Sequence, residues 1–533
     1  MKKQVYVASL LSAAVFLAAC EGDDGINGVD GADGANGFNS LIAFRDIPKG
    51  DAVCLGGGLA VDSGLDTNRN DILDPGEVTA TEIVECAATP EIRALHASPD
   101  APAVTIWVNG APALTGVDYA QGSGFVPVIE ENNVQVEAML PNGATAIVID
   151  EDVNLDYNTE ATIIAVDTVA DNAIPGPIRA LPIVNASDSR ITQGYFRAQV
   201  VHAAPSAPAV DVYVTAFDAD LAASSPVTLD FAPFTFEKFT TQLEVPAGDY
   251  QVRITLAGDP ATVVYDSGEQ PFAAGADLMI VAVDNTGPGD TPVQLIVLDG
   301  TAANPLYDIN TPASAVAVHL SPDAPAVDIL ADVNATPEDE ALPLVRNVPY
   351  NAFCDLNSVP APGDYTVSVV ANADNSIVAT TFPLNVMQGD EVTAVVTGFL
   401  TTGDPTITTL PLPGNTRSVA TETKLRITHA SPSTPAVDLY LVPAGTDINT
   451  VDATFEDVVF GQDTTQLSIA PDLYDAYVTL ANDKTPAISL PGLDFQGGEV
   501  LDVLARDPIA ADGETLPQAV VIDYSTIAAC PAP

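Results

Sequence analysis

The sequence predicts an all-β protein: tandem antiparallel β-sandwich domains of immunoglobulin-like kind, preceded by a small calcium-loop module. Three observations lead there. One phrase recurs four times along 533 residues, as "HASPDAPAV" from His96, "HAAPSAPAV" from His202, "HLSPDAPAV" from His319 and "HASPSTPAV" from His429. The stretch closing each phrase alternates apolar and polar residues, as a half-buried strand does: "AVTIWVN", "AVDVYVT", "AVDILAD" and "AVDLYLV". Further short alternating segments follow, punctuated by Pro, Gly, Asn and Asp, and almost none carries a helical period.

Residues 1–19 read as a lipoprotein signal peptide. Lys2 and Lys3 precede the apolar run "VYVASLLSAAVFLAA", which has signal-peptide length and is short for a membrane span. The run ends in "LAAC", which resembles a bacterial lipobox, where cleavage exposes Cys20 for lipidation. The residue after it is Glu21 rather than Asp, which by analogy with known lipoproteins favours the outer membrane. The expectation is a lipid-anchored, extracytoplasmic protein of the outer membrane or cell surface. Residues 20–39 then form a spacer. Gly22, Gly25, Gly28, Gly31, Gly34 and Gly37 keep the collagen period, in which only glycine fits the axis of a triple helix. The run is short and has no proline, which argues against a stable trimer and for an acidic linker.

Residues 40–90 form the calcium-loop module. "DTNRNDILDPGE" runs from Asp66 to Glu77. Oxygen donors fall at loop positions one, three and five (Asp66, Asn68, Asn70), a backbone carbonyl at seven (Ile72) and a carboxylate at twelve (Glu77). This is the spacing that wraps Ca²⁺ in an EF-hand loop. Position six is Asp71 instead of glycine, and neither flank looks helical, so the loop is expected without its helix pair. Cys54 and Cys86 flank it and are expected to bond. Cys354 and Cys530 remain: in an oxidising compartment they join the third and fourth repeats, or else they stay free.

The repeats occupy 91–190, 195–308, 312–418 and 422–533. A recurrence of 106 to 117 residues is too long for a solenoid and suits a string of separate domains. Mid-repeat, "PAGDYQVRITL" is matched by "PAPGDYTVSVV" and "APDLYDAYVTL". Alternation places Tyr250, Val252 and Ile254 on one face and Gln251, Arg253 and Thr255 toward water. A buried strand closes each repeat: "EATIIAVD", "DLMIVAVD", "EVTAVVTG" and "EVLDVLAR". These repeats resemble the bacterial family called domain of unknown function 4397, over roughly residues 91 to 525. Repeat 1 departs from the pattern, with Thr105 where the others hold Asp211, Asp328 and Asp438. The resemblance implies a sandwich in an extracytoplasmic setting and brings no established activity.

Charge excludes one class of partner. There are 72 acidic against 17 basic residues, a net of −55, and nucleic-acid binding needs clustered Lys and Arg. All four histidines, His96, His202, His319 and His429, fall at the same slot. The residues two and four before each are apolar, which puts every His on an inward face at a strand end, where its ring can satisfy backbone groups of the proline corner. A catalytic reading lacks a nucleophile and an orienting acid: Ser98, Ser321 and Ser431 have no counterpart at Ala204, and Asp211, Asp328 and Asp438 lie on the other parity. Trp107, Tyr213 and Tyr440 are on that outward parity, where they can contact glycans or proteins. The expected function is therefore non-enzymatic: a surface lipoprotein presenting tandem sandwiches for adhesion or ligand binding. The alternatives are an envelope spacer without a specific ligand and an extracytoplasmic hydrolase.

Overall fold

The computed structural model describes residues 37–140, 143–169, 178–187, 190–333, 341–356, 361–401, 403–509 and 513–531. The signal peptide, Cys20 and the glycines from Gly22 to Gly34 fall outside them. Among the described residues the chain is strand and loop, with 3₁₀ turns at Leu221–Ala223, Leu229–Phe231 and Ile448–Thr450 and no α-helix. It divides into two compact units, Met1–Cys86 and Ala87–Pro533.

The first unit is a three-stranded antiparallel sheet with Gly58–Asp66 between Asn39–Ile47 and Val78–Cys86. Among the described residues its core is Ile47, Cys54 and Ala60. So small a core stabilises little by burial, and the Cys54–Cys86 bond supplies the staple.

In the second unit each repeat is a sandwich of two sheets. One sheet carries the histidine strand: Glu91–His96, Tyr195–His202, Ser314–His319 or Thr423–His429. The other carries the strand after the corner: Val104–Val108, Val210–Thr215, Val327–Val333 or Val437–Pro443. Inward residues of both sheets fill the core between them, for example Ile92, Val104, Val136 and Ile163 in repeat 1.

The sheets are not wholly antiparallel. In every repeat the histidine strand runs parallel to the late buried strand: Thr159–Val166, Asp277–Asp284, Glu391–Thr397 and Val500–Arg506. Parallel pairs are stable when both faces are covered, and their strands then read as continuous apolar runs. "IIAV" and "MIVAV" are such runs.

What covers the second face corrects the expectation of separate domains. The repeats pack in pairs through their histidine sheets. Leu95, Ile164 and Ile183 of repeat 1 form one core with Val201, Met279, Val281 and Ile296 of repeat 2. Val316, Val318 and Val395 of repeat 3 do the same with Leu504, Val520 and Ile522 of repeat 4. The odd-parity residues of the histidine strands are therefore buried: Arg93, Arg197, Gln199, Arg426 and Thr428. Arg426 pairs with Asp502 inside the junction of repeats 3 and 4, with side-chain exposures of 3% and 1%, and Tyr524 donates to the same carboxylate. The Cys354–Cys530 bond also joins repeats 3 and 4, and the Cys530 N–H donates to the Asp355 carbonyl at 2.6 Å.

Candidate functional site

All four histidines are buried, at 1%, 1%, 0% and 2% exposure. Nε2 of His96, His202 and His429 meets the carbonyl of the second proline of its phrase: Pro102 at 3.0 Å, Pro208 at 3.1 Å and Pro435 at 3.1 Å. A carbonyl only accepts, so these rings carry their proton on Nε2. The Ser98 N–H accordingly donates to the bare Nδ1 of His96 at 3.3 Å. His319 is turned over, and its Nδ1 donates to the Val348 carbonyl at 2.9 Å. Burial pushes all four rings below their ordinary pKa, His96 to about 4. They are neutral hydrogen-bond donors: His96, His202 and His429 tie a proline corner, where backbone N–H groups are scarce, to the end of a strand, and His319 ties its strand to the end of Leu342–Val348.

Two further parts of the corner escaped the sequence reading. The carbonyl of each histidine accepts from a loop residue held at positive φ: Ala120, Glu237, Asn351 and Gly461, each at 2.8 Å. These four share no chemical property, so no residue-type signal marks them. The neighbouring aromatic is more legible. Tyr119, Phe234, Tyr350 and Phe460 pack against the rings of His96, His202, His319 and His429, with centroids 6.1 to 6.4 Å apart.

The fifth residue of the phrase alternates between Asp and Ser, and the structure explains why. In repeats 1 and 3 it is the acceptor. Asp100 takes the Val169 N–H at 2.8 Å, and Asp323 takes the N–H groups of Leu400 at 2.7 Å and Thr401 at 2.9 Å. In repeats 2 and 4 it is the donor. Ser206 and Ser433 reach the carboxylates of Asp284 at 2.8 Å and Asp507 at 2.9 Å. The same bridge to the end of the late strand is made with its polarity reversed. The odd repeats also carry Tyr at the aromatic position. The Tyr119 hydroxyl donates to the Asp284 carbonyl at 2.6 Å, and that of Tyr350 to Asp507 at 2.8 Å. The repeating unit is thus a pair of unlike sandwiches. Arg417, at the end of repeat 3, reaches back to repeat 1: it donates to the carbonyls of Pro99 at 3.0 Å and Ala101 at 2.8 Å and pairs with Asp118.

Residues expected to face water do not. Tyr213 and Tyr440 are 4% and 2% exposed, and Trp107 is half-buried with its indole N–H on Glu137 at 2.9 Å. Gln251 and Thr255 are buried too. The loop after the corner strand folds over this face. Its Asp218 N–H donates to Gln251 at 2.9 Å, and its Ala219 carbonyl accepts from Arg253 at 2.6 Å. Asp211, Asp328 and Asp438 are turn anchors. They accept from Gly258 at 2.8 Å, Asn347 at 2.8 Å, and Asp457 and Asn482 at 2.9 and 3.1 Å, all residues at positive φ.

The Asp66–Glu77 loop joins two antiparallel strands rather than two helices. Asp71, at position six, adopts φ 59°, the conformation that glycine usually supplies there. The donors turn inward on the loop. Asp66 accepts from Asn70 N at 3.1 Å and Asp71 N at 2.9 Å, Asn68 Oδ1 from Asn70 N at 3.1 Å, and Asn70 Oδ1 from Ile72 N at 2.8 Å. Glu77, held below the usual carboxylate range first by the Thr67 hydroxyl, accepts from Thr67 N at 2.7 Å and Asn68 N at 3.0 Å. Asp74, at position nine and passed over in the sequence, receives the amides of Asn68 at 2.6 Å and Asn70 at 3.0 Å. The oxygens of Asp66, Asn68 and Asn70 each accept one of these bonds, whereas Glu77 Oε1 also takes the Thr67 hydroxyl and so carries three, and Asp74 Oδ2 carries two; the set is hard oxygen, which suits Ca²⁺. Among the described residues no three His, Cys, Asp or Glu side chains gather into a metal-holding group. The fit therefore rests on the Asn amides and the Ile72 carbonyl as much as on carboxylates.

A family model described as domain of unknown function DUF4397 matches residues 90–213 and 313–440, and one described as domain of unknown function DUF7151 matches 39–85. Each match to the first model spans an odd repeat and ends in the corner strand of the even one, at Tyr213 or Tyr440. No curated protein matches the chain. Among solved structures, the multi-modular glycogen-degrading pneumococcal virulence factor SpuA is similar at 11% identity, with a TM-score of 0.13, over 54% of this chain. The chain spans 37% of that protein's length. A Bacteroides fragilis protein named as a candidate cell adhesion protein is similar at 9% identity, with a TM-score of 0.11, over 40% of this chain and 98% of its own.

Proposed function

We propose that this protein is a non-enzymatic cell-surface lipoprotein, held by lipid on Cys20, that presents two paired-sandwich units for adhesion or ligand binding. The observation that supports this most is the use made of the histidines. The residues best suited to acid–base chemistry are buried and neutral, and their rings bond to backbone groups. Between repeats 3 and 4, the buried Arg426 donates to the Pro413 carbonyl at 2.6 Å and the Cys354–Cys530 bond crosses the junction, which suits a stiff display element. The Asp66–Glu77 loop binds Ca²⁺ through Asp66, Asn68, Asn70, the Ile72 carbonyl, Asp74 and Glu77, and so stiffens the segment next to the anchor.

Two measurements test the reading. Mass spectrometry of the mature chain should find an acylated Cys20 at the amino terminus; an unmodified terminus elsewhere would overturn the anchor. Glycan and protein arrays probed with residues 90–533 should return a saturable ligand. A chain that is displayed and folded yet binds nothing would favour the spacer role.

A further inference from the structure

Between the two sheets of repeat 3 lies a partly open cavity of about 380 Å³, bounded by Ala315, Ile329, Val369, Phe382, Val386 and Ala394 among others. This is within the size range of small-molecule sites. Strand registers align the four repeats and show its origin. Ala394 stands where repeats 1, 2 and 4 carry Ile163, Ile280 and Val503, each two residues before the partner of the repeat histidine. Val386 stands where they carry Leu155, Phe272 and Phe495. In repeat 2 the same region is filled by Phe196 stacked on Phe272, with centroids 4.8 Å apart, and repeat 3 has Ala313 in place of Phe196. Large-to-small replacements in a packed core leave space that the surroundings only partly close, and an apolar cavity stays dry and takes apolar guests.

We propose that repeat 3 binds a neutral, largely apolar small molecule in this cavity. The polar lining selects against anions. It gathers near the turn from Asn385 to Glu391, where Asp390 and Glu391 are acidic. The Thr409 hydroxyl, buried and without a hydrogen-bond partner, offers one directional contact, so the preferred guest carries a single hydroxyl, carbonyl or amine on a hydrocarbon body. The inference does not depend on the adhesion reading, since it concerns the interior of one sandwich.

The test uses the full mature chain and the neutral fluorophore N-phenyl-1-naphthylamine. The expected result is saturable fluorescence enhancement at one probe per chain, competed by long-chain alcohols and not by the matching carboxylates. Ala394→Ile and Val386→Phe, which give repeat 3 the residues of repeat 2, should weaken the probe at least tenfold each and raise the melting temperature. No saturable binding, or binding unchanged in either folded variant, overturns the proposal. Should both variants fail to fold, crystals of the native chain grown with the probe decide it: density between the two sheets of repeat 3 upholds the site, and density elsewhere or none overturns it.

Discussion

Acid should loosen the corner of repeat 1 well before it protonates ordinary carboxylates. An unfolded histidine titrates near pH 6.5, and burial holds His96 at about 4. A folded-state pKa below the unfolded one means that the unfolded chain binds the extra proton first. The corresponding stability is fully present above pH 6.5 and is lost as pH falls toward 4. The gap corresponds to about 3 kcal/mol, of which about 2 kcal/mol is gone by pH 5. Arg417 and Asp118 act on the ring with opposite charges, the first lowering and the second raising its pKa, after burial and the bond to Pro102. Burial pushes Asp100, Glu160, Asp284, Glu391 and Glu422 upward, so these groups work in the opposite sense as pH falls. The quantity to read is therefore a difference: urea unfolding of the native chain against His96→Gln at pH 7.5, 6, 5 and 4.5. The gap between the two should shrink or reverse as pH falls. Four histidines give four imidazole cross-peaks in carbon-edited NMR, and all four should titrate below 6.5. A His96 midpoint near 6.5, or a difference that stays flat from pH 7.5 to 5, would refute the buried-donor account.

Three other outcomes follow from the same geometry. His202→Ala should cost about 1–3 kcal/mol and His202→Gln less, because glutamine keeps a donor near Nε2; at His319, where Nδ1 donates, Asn should be the milder replacement, and equal melting losses for Asn and Gln at both sites would contradict the ring assignments. Asp502→Ala should destabilise by about 3–5 kcal/mol by stranding the Arg426 charge between repeats 3 and 4, whereas an isolated surface pair would cost under about 1 kcal/mol in the same denaturation assay. Calorimetry on residues 37–90 should give a Ca²⁺ dissociation constant of about 10⁻⁴–10⁻³ M, lost in Glu77→Ala and weakened in Asp74→Ala; no heat with the Cys54–Cys86 bond intact would end the calcium reading.

The sequence alone was enough for whatever depends on neighbours along the chain. Alternation after each proline phrase identified the strands, because successive side chains of a strand point to opposite faces. The run of apolar residues before each His placed its ring inward. The twelve-residue spacing from Asp66 to Glu77 was legible because one short loop supplies all its own donors. What a face meets is another matter, since the partner lies a hundred or more residues away. Arg93, Gln199 and Arg426 lie on the parity opposite to the histidines, and what buries each of them is the neighbouring repeat, whose sheet supplies the second apolar face. Tyr213 and Tyr440 read as outward aromatics and are roofed by loops or side chains from their own repeats. The Asp or Ser at the fifth place of the phrase has meaning only beside the strand end it bridges. The gap in repeat 3 exists only because Ala313, Val386 and Ala394, from separate segments of the chain, meet across one core. Local pattern determined the strands and the corner; tertiary packing decided that the repeats pair, which charges are buried, and where space remains.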